Sequence, residues 1–144
     1  MKGRDISFRE VVQGICAKDP RYDEDAYLFL MEALDSTVKA IREKEPEHGR
    51  DVSGRELLEG IRAFALDEYG PLAYTVFAEW GIHETADFGA IVFNLVEAGR
   101  LGKTESDSLE DFNQVYDFDE AFRLPFEPQE PPEKDGAAGK RQRG

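Results

Sequence analysis

The sequence contains little of what disulfide-linked, zinc-binding and exported proteins depend on. Cys16 is its one cysteine, so no disulfide can form within the chain, and the cysteine and two histidines lack the spacing of zinc ligands. No run of eighteen apolar residues occurs, and residues 1–12 lack the apolar stretch of a signal peptide. These absences predict a cytoplasmic protein that neither spans a membrane nor carries a metal or cofactor.

Positive charge is also scarce, and the imbalance is localised. The chain has 31 acidic residues against 18 Lys and Arg, which gives a net charge of −13. Residues 127–144 hold as many bases as acids, so the whole excess lies in residues 1–126. Such a field repels nucleic acids and favours a protein partner with a basic surface, although the need for solubility explains it equally well.

The length and composition predict a single folded domain. Hydrophobic residues make up 40% of the 144 residues, and ten of them are Phe, which is enough for one core. We expect this acidic helical domain to cover residues 1–126. Residues 127–144 are rich in Pro, Gly and charge, which is typical of a disordered tail.

Apolar residues recur at helical spacing in five segments between residues 7 and 98, and the fold is therefore predicted to be mainly α. Ser7 with Glu10 and Ser53 with Glu56 form the capping boxes of the first and third helices. Gly70-Pro71 separates the third and fourth helices, and Thr85 is predicted to cap the fifth.

The pattern changes after Gly99, and two interpretations stay open. Residues 101–118 form either a small β-hairpin or a short helix followed by an extended return, with Ser108 and Asp111 as a third possible capping box. The alternation of Val115, Asp117 and Asp119 favours some extended structure.

A β-hairpin after these helices would give the order of a winged helix-turn-helix, a common DNA-reading fold. The second helix of the pair has no Lys or Arg, and Asn94 is its one side chain suited to reading a base edge. A nucleic-acid-binding regulator of winged-helix type is therefore kept as the alternative function, and the charge predicts a protein partner and not nucleic acid.

The best candidate for partner binding is Trp80 together with an acidic strip. Trp80 is either a core residue or an interface anchor beside an acidic rim. The strip contains seven acids and no base between residues 105 and 120, and it is either a solvated face or a docking surface for a Lys/Arg-rich protein. Its members are Glu105, Asp107, Glu110, Asp111, Asp117, Asp119 and Glu120. They lack the spacing of a calcium loop.

No catalytic residue is predicted. His48 and His83 are not adjacent to a nucleophile motif, and Cys16 fits the role of a small core residue. We therefore expect a non-catalytic protein-interaction module, of an oligomeric state that the sequence leaves open.

The segment from Val52 to Phe112 also resembles a family of short uncharacterised bacterial proteins, a domain of unknown function. The resemblance rests on Ser-Gly-Arg-Glu-Leu-Leu from residue 53, Trp80-Gly81, Asp87-Phe88-Gly89 and Val92-Phe93-Asn94-Leu95, in that order. It extends over roughly residues 20–126. It implies a bacterial, intracellular, stand-alone domain, and it implies no activity or ligand residue.

Overall fold

The computed structural model describes residues 7–46, 52–102 and 109–126, and within these ranges the chain forms five α-helices and no strand. The helices are α1 (Phe8–Lys18), α2 (Glu24–Lys44), α3 (Gly54–Tyr69), α4 (Ala73–Glu79) and α5 (Thr85–Glu97). The predicted mainly α fold is confirmed. None of these helices combines the length and the apolar composition that crossing a bilayer requires. The tail predicted at residues 127–144 lies outside the described residues.

Two of the predicted helix starts are confirmed by reciprocal hydrogen bonds. Ser7 Oγ accepts from the Glu10 N–H at 3.2 Å, and a Glu10 carboxylate oxygen accepts from the Ser7 N–H at 3.2 Å. Ser53 and Glu56 repeat the arrangement at 3.0 and 2.9 Å. Each box satisfies two backbone N–H groups that have no partner inside the helix.

The predicted cap of α5 is wrong. Thr85 is the first residue of the helix, and Glu84, in an extended conformation, is the capping position. Asp87 Oδ2 accepts from the N–H groups of His83 at 2.8 Å and Glu84 at 3.2 Å. The side chain of Thr85 is fully buried and bonds elsewhere: its hydroxyl donates to the Phe112 carbonyl at 2.6 Å. A distant partner therefore overrides the local capping preference of threonine.

Glycine residues make two tight connections between the helices. Gly70 has a φ of 52° and opens a 3₁₀ turn (Gly70–Leu72) that leads from α3 into α4. Gly81 ends α4 with a φ of 87°, and a Cβ there would overlap the carbonyl oxygen of Arg21. Only glycine combines this backbone conformation with so close an approach.

The core contains a cluster of aromatic rings. The fully buried ring of Phe77 in α4 lies at its centre, with four other rings at centroid distances of 5.1–5.7 Å. Each fully buried Phe side chain stabilises the fold by about 1.5–3 kcal/mol through the hydrophobic effect. The four rings come from α2, α5 and the segment after α5, namely Phe29, Phe88, Phe118 and Phe122.

Helices α2 and α3 pack with little space between them at Gly60. A Cβ on Gly60 would overlap Oγ1 of Thr37, a buried hydroxyl that donates to the Ala33 carbonyl at 2.7 Å. The first half of α2 belongs to the core, since Ala26, Tyr27, Phe29, Leu30 and Ala33 are all buried.

The described part of the segment after α5 consists of short helical turns and of residues 113–117, which are not helical. It contains a 3₁₀ turn (Leu109–Phe112), a π-helical turn (Asp119–Arg123) and a final 3₁₀ turn (Leu124–Phe126). Residues 103–108, with the tip of the possible hairpin and Ser108, lie outside the described residues. The short-helix interpretation agrees with these turns, and residues 113–117 form turns and bends without a strand. Phe118 and Phe122 are four residues apart, as on one face of a helix, and both are buried. Their burial outweighs the preference for extended structure that the alternation of apolar and acidic residues at 115–119 indicates.

Candidate interaction surfaces

The charges of the described residues divide sharply between two sets of segments. Residues 7–22 and 85–102, which include α1 and α5, hold four acids and four bases. Residues 23–46, 52–84 and 109–126 hold eighteen acids and six bases. The negative excess of the described residues therefore lies entirely outside residues 7–22 and 85–102, the segments that we call the α1–α5 side.

An acidic groove of about 600 Å³ lies between α2 and α3, and we call it the α2–α3 groove. Phe64 and Ala40 contribute its apolar lining, and Lys39 is its one basic residue, with Nζ 3.2 Å from Oδ2 of Asp35. Its acidic side chains are Glu32, Asp35, Glu43 and Glu68. Acids of α2 that are three or four residues apart lie on one face of that helix, which is why they line the same groove.

Trp80 is half-buried and packs against other aromatic rings at the end of α4. Its ring centroid lies 5.6 Å from Phe29, 6.0 Å from Tyr69 and 6.0 Å from Phe77. Burial raises the pKa of Tyr69, and the nearby charges of Glu32, Glu68 and Asp25 raise it further. Two of these acids also line the α2–α3 groove, so the acidic rim next to the Trp80–Tyr69 pair comes from α2 and α3.

The acidic strip predicted from the sequence is divided between two turns. Glu110 and Asp111 lie in the turn Leu109–Phe112, and three further acids lie in or just before the turn Asp119–Arg123. Glu105 and Asp107 lie outside the described residues. Asp117 Oδ2 accepts from the Glu120 N–H at 3.1 Å.

Asp119 of the strip is held by its own turn. Its Oδ1 accepts from Arg123 Nε at 3.0 Å, and this hydrogen bond is the main cause that lowers the pKa of Asp119. Asp117 and Asp119 thus have structural roles within the turn.

A second groove, of about 450 Å³, lies between α1 and α5, and we call it the α1–α5 groove. The two helices are antiparallel, because Asn94 in α5 bonds to Asp19 just after α1, whereas Arg100 beyond α5 lies 5.6 Å over the ring of Phe8 at the start of α1. Gly14 lines the groove with open space where a Cβ would be, and the ring of Phe93 is 47% exposed beside it.

A polar network closes one end of the α1–α5 groove. Arg21 donates to both carboxylate oxygens of Asp19, at 2.8 and 2.7 Å, and Asn94 Nδ2 donates to Asp19 Oδ2 at 2.9 Å. The hydrogen bonds from Arg21, and after them that from Asn94, hold the pKa of Asp19 well below its usual range. Asn94 Nδ2 also donates to the buried hydroxyl of Tyr27 at 3.0 Å.

This network bears on the nucleic-acid alternative. Asn94 was the one side chain of α5 suited to reading a base edge, and its amide is engaged by Asp19 and Tyr27. Helix α5 contains no Lys or Arg that could neutralise phosphate. The engaged amide of Asn94 therefore gives a second reason, beside the lack of Lys and Arg, why α5 is unsuited to reading DNA.

The described residues considered for catalysis, His83 and Cys16, take part in local hydrogen bonds. His83 is exposed, and its backbone N–H bonds to Asp87. The thiol of Cys16 donates to the Tyr22 carbonyl at 3.5 Å, and burial, followed by the charge of Glu24, raises the pKa of that thiol, which disfavours the thiolate. His48 lies outside the described residues. In the described ranges, no group of three or more His, Cys, Asp or Glu residues could hold a metal ion.

The α1–α5 groove is the feature that sequence reasoning missed. The helical stripe of α5 contains Phe88, Ile91, Val92 and Leu95, and Phe93 falls outside it, which was a usable signal of exposure. No comparable signal marked Gly14, because the space around a helical glycine depends on the neighbouring helix.

Comparison with known proteins returned no match: no family model, no curated protein and no solved structure matches the chain. The resemblance drawn from the sequence therefore stays a hypothesis.

Proposed function

We propose that the protein is a non-catalytic interaction module that binds a Lys/Arg-rich segment of another protein in the α2–α3 groove. The observation that supports this most directly is the division of charge, with eighteen acids and six bases outside the α1–α5 side. The α2–α3 groove concentrates four of those acids around the half-buried ring of Phe64.

The groove combines the two features that a basic amphipathic segment needs. Its acids attract Lys and Arg within a Debye length of about 8 Å at physiological salt, and its apolar lining can accept one or two apolar side chains. The neighbouring Tyr69 and Trp80 rings extend the aromatic surface, and Trp and Tyr are over-represented among residues that dominate binding energies.

The proposal is tested with a five-turn amphipathic peptide of about 18 residues, made from Lys, Arg, Leu and Ala, and binding measured by fluorescence anisotropy. The double variant Glu32→Lys with Glu68→Lys should weaken binding at least about tenfold, because it replaces two attractive charges by two repulsive ones. The matched control, Glu59→Lys with Glu120→Lys, changes the net charge equally at exposed positions elsewhere and should change binding by less than about threefold.

Equal weakening by both double variants would mean that the affinity for the peptide depends only on the net charge of the protein. That result would refute the α2–α3 groove as the binding site. A duplex DNA of similar charge, titrated under the same low-salt conditions, should not bind. Tight, strongly salt-dependent binding of the duplex would instead support the winged-helix alternative.

A further inference from the structure

The α1–α5 groove carries a protruding ring and an open notch on the same face. Phe93 in α5 is 47% exposed, and Gly14 in α1 has nothing within 4 Å of the position of a Cβ. Val11 and Ile15 line the groove between them, together with Lys18 and Glu97. A surface with both a protruding side chain and a recess can pair with a copy of itself about a two-fold axis.

Charge decides which face of this protein a second copy can use. Two chains of net charge −13 repel each other, and the repulsion is strongest where the acids are concentrated. The α1–α5 side has as many bases as acids, and its groove contains one charge of each sign in Lys18 and Glu97, with Asp19 paired to Arg21. It is the side on which a like-charged chain meets the least repulsion.

From this combination we infer that the occupant of the α1–α5 groove is a second copy of the chain. The Phe93 ring of each copy lies in the groove of the other, over Gly14, and the two α5 helices are neighbours across the two-fold axis. An aromatic ring that moves from half-exposed to buried at the centre of an interface is a typical energetic anchor. The inference does not depend on the proposed function, because it uses the opposite side of the charge distribution.

Sedimentation equilibrium of the full chain over a range of concentrations tests the inference. The unmodified chain should show a monomer–dimer equilibrium, and Phe93→Ser should raise the dimer dissociation constant at least about 30-fold. Leu72→Ser is the matched control, because Leu72 is 63% exposed in a different part of the surface and its replacement should leave the equilibrium unchanged.

A second variant separates loss of the dimer from loss of the fold. Gly14→Leu places a side chain in open space on α1 and replaces a poor helix former by a good one, so it should leave the monomer at least as stable. The same side chain fills the recess that would receive Phe93 of the second copy. Gly14→Leu should therefore weaken the dimer at least about 30-fold while unfolding at an unchanged or higher urea concentration.

Several results would overturn the inference. They are a chain that is monomeric at all concentrations, a dimer that resists both Phe93→Ser and Gly14→Leu, and a dimer that Leu72→Ser disrupts to the same extent. The Phe93→Ser variant should still bind the basic peptide, so failure of the dimer and failure of the proposed function are distinguishable.

Discussion

The hydroxyl of Tyr22 donates a 2.6 Å hydrogen bond to Oδ1 of Asp87, a residue 65 positions further along the chain. Oδ2 of the same carboxylate accepts from the backbone N–H groups of His83 and Glu84. One carboxylate thus ties the loop between α1 and α2 to the start of α5. The Tyr22 side chain is buried, whereas Asp87 is half-buried.

We expect Tyr22→Phe to lower the free energy of unfolding by about 1–3 kcal/mol, the range for loss of a hydrogen bond to a charged acceptor. Asp87→Ala should cost more, because it also leaves the two N–H groups at the start of α5 without their acceptor. Urea unfolding followed by circular dichroism measures both. Asp67→Asn, at an exposed position of α3, serves as control, and an equal effect there would contradict the argument.

Alkaline pH should destabilise the fold through buried tyrosines. Burial raises the pKa of Tyr22 above its ordinary value of 10.0, and the hydrogen bond to Asp87 raises it further; burial likewise raises the pKa of Tyr116. The folded state therefore favours the protonated form of both phenols. The contribution of these phenols to the free energy of unfolding is complete below pH 10 and is lost as the pH rises above 10. Urea unfolding at a series of alkaline pH values should show the decline, which Tyr22→Phe and Tyr116→Phe should each reduce.

Acidic pH should act through Asp19. Its pKa is lowered in the folded state from an ordinary value of 3.8, so its stabilising contribution is complete above that value and is lost as the pH falls below it. Asp19→Asn should cost about 1–2 kcal/mol at neutral pH, because Arg21 and Asn94 lose a charged acceptor. The cost should shrink as the pH is lowered. Arg21→Gln should cost less at neutral pH, since Asn94 keeps its acceptor, and a cost of Asp19→Asn that is independent of pH would refute this explanation.

The hydroxyl of Thr85 holds the segment after α5 against the helix. It donates to the Phe112 carbonyl and accepts from the Val115 N–H at 3.1 Å. Thr85→Val keeps the shape and leaves both backbone groups without a partner, which should cost about 1–3 kcal/mol. Thr85→Ser keeps the hydroxyl and should cost less. Hydrogen exchange should become faster at the Val115 amide in the valine variant only.

Substituting alanine for glycine should have opposite effects in two helices. Gly14→Ala should stabilise the fold by about 0.5–1 kcal/mol, because the position is open and alanine is the better helix former. Gly60→Ala should destabilise it by about 1–3 kcal/mol, because the new Cβ overlaps the Thr37 hydroxyl. Chemical denaturation at a low protein concentration measures both, and stabilisation by both substitutions would show that the gap between α2 and α3 adjusts freely.

Most helix positions could be predicted because their signals are local. The Ser7 and Ser53 capping boxes join residues three positions apart, and the apolar stripes of α1, α2 and α3 have the period of the helix. Such signals need no knowledge of what packs against the helix. The prediction for Thr85 failed because it used only local signals, whereas the partners of its hydroxyl lie 27 and 30 residues away.

The charge, the apolar periodicity and the capping boxes of the sequence were enough to predict an acidic, mainly helical chain without a recognisable catalytic motif. They could not establish where the charges lie relative to the apolar surface, since helices close in sequence need not be neighbours in space. The pairing of α1 with α5 left a near-neutral face with an exposed ring, and the pairing of α2 with α3 gathered acids into one groove. Both surfaces depend on contacts between residues tens of positions apart, which local periodicity does not encode.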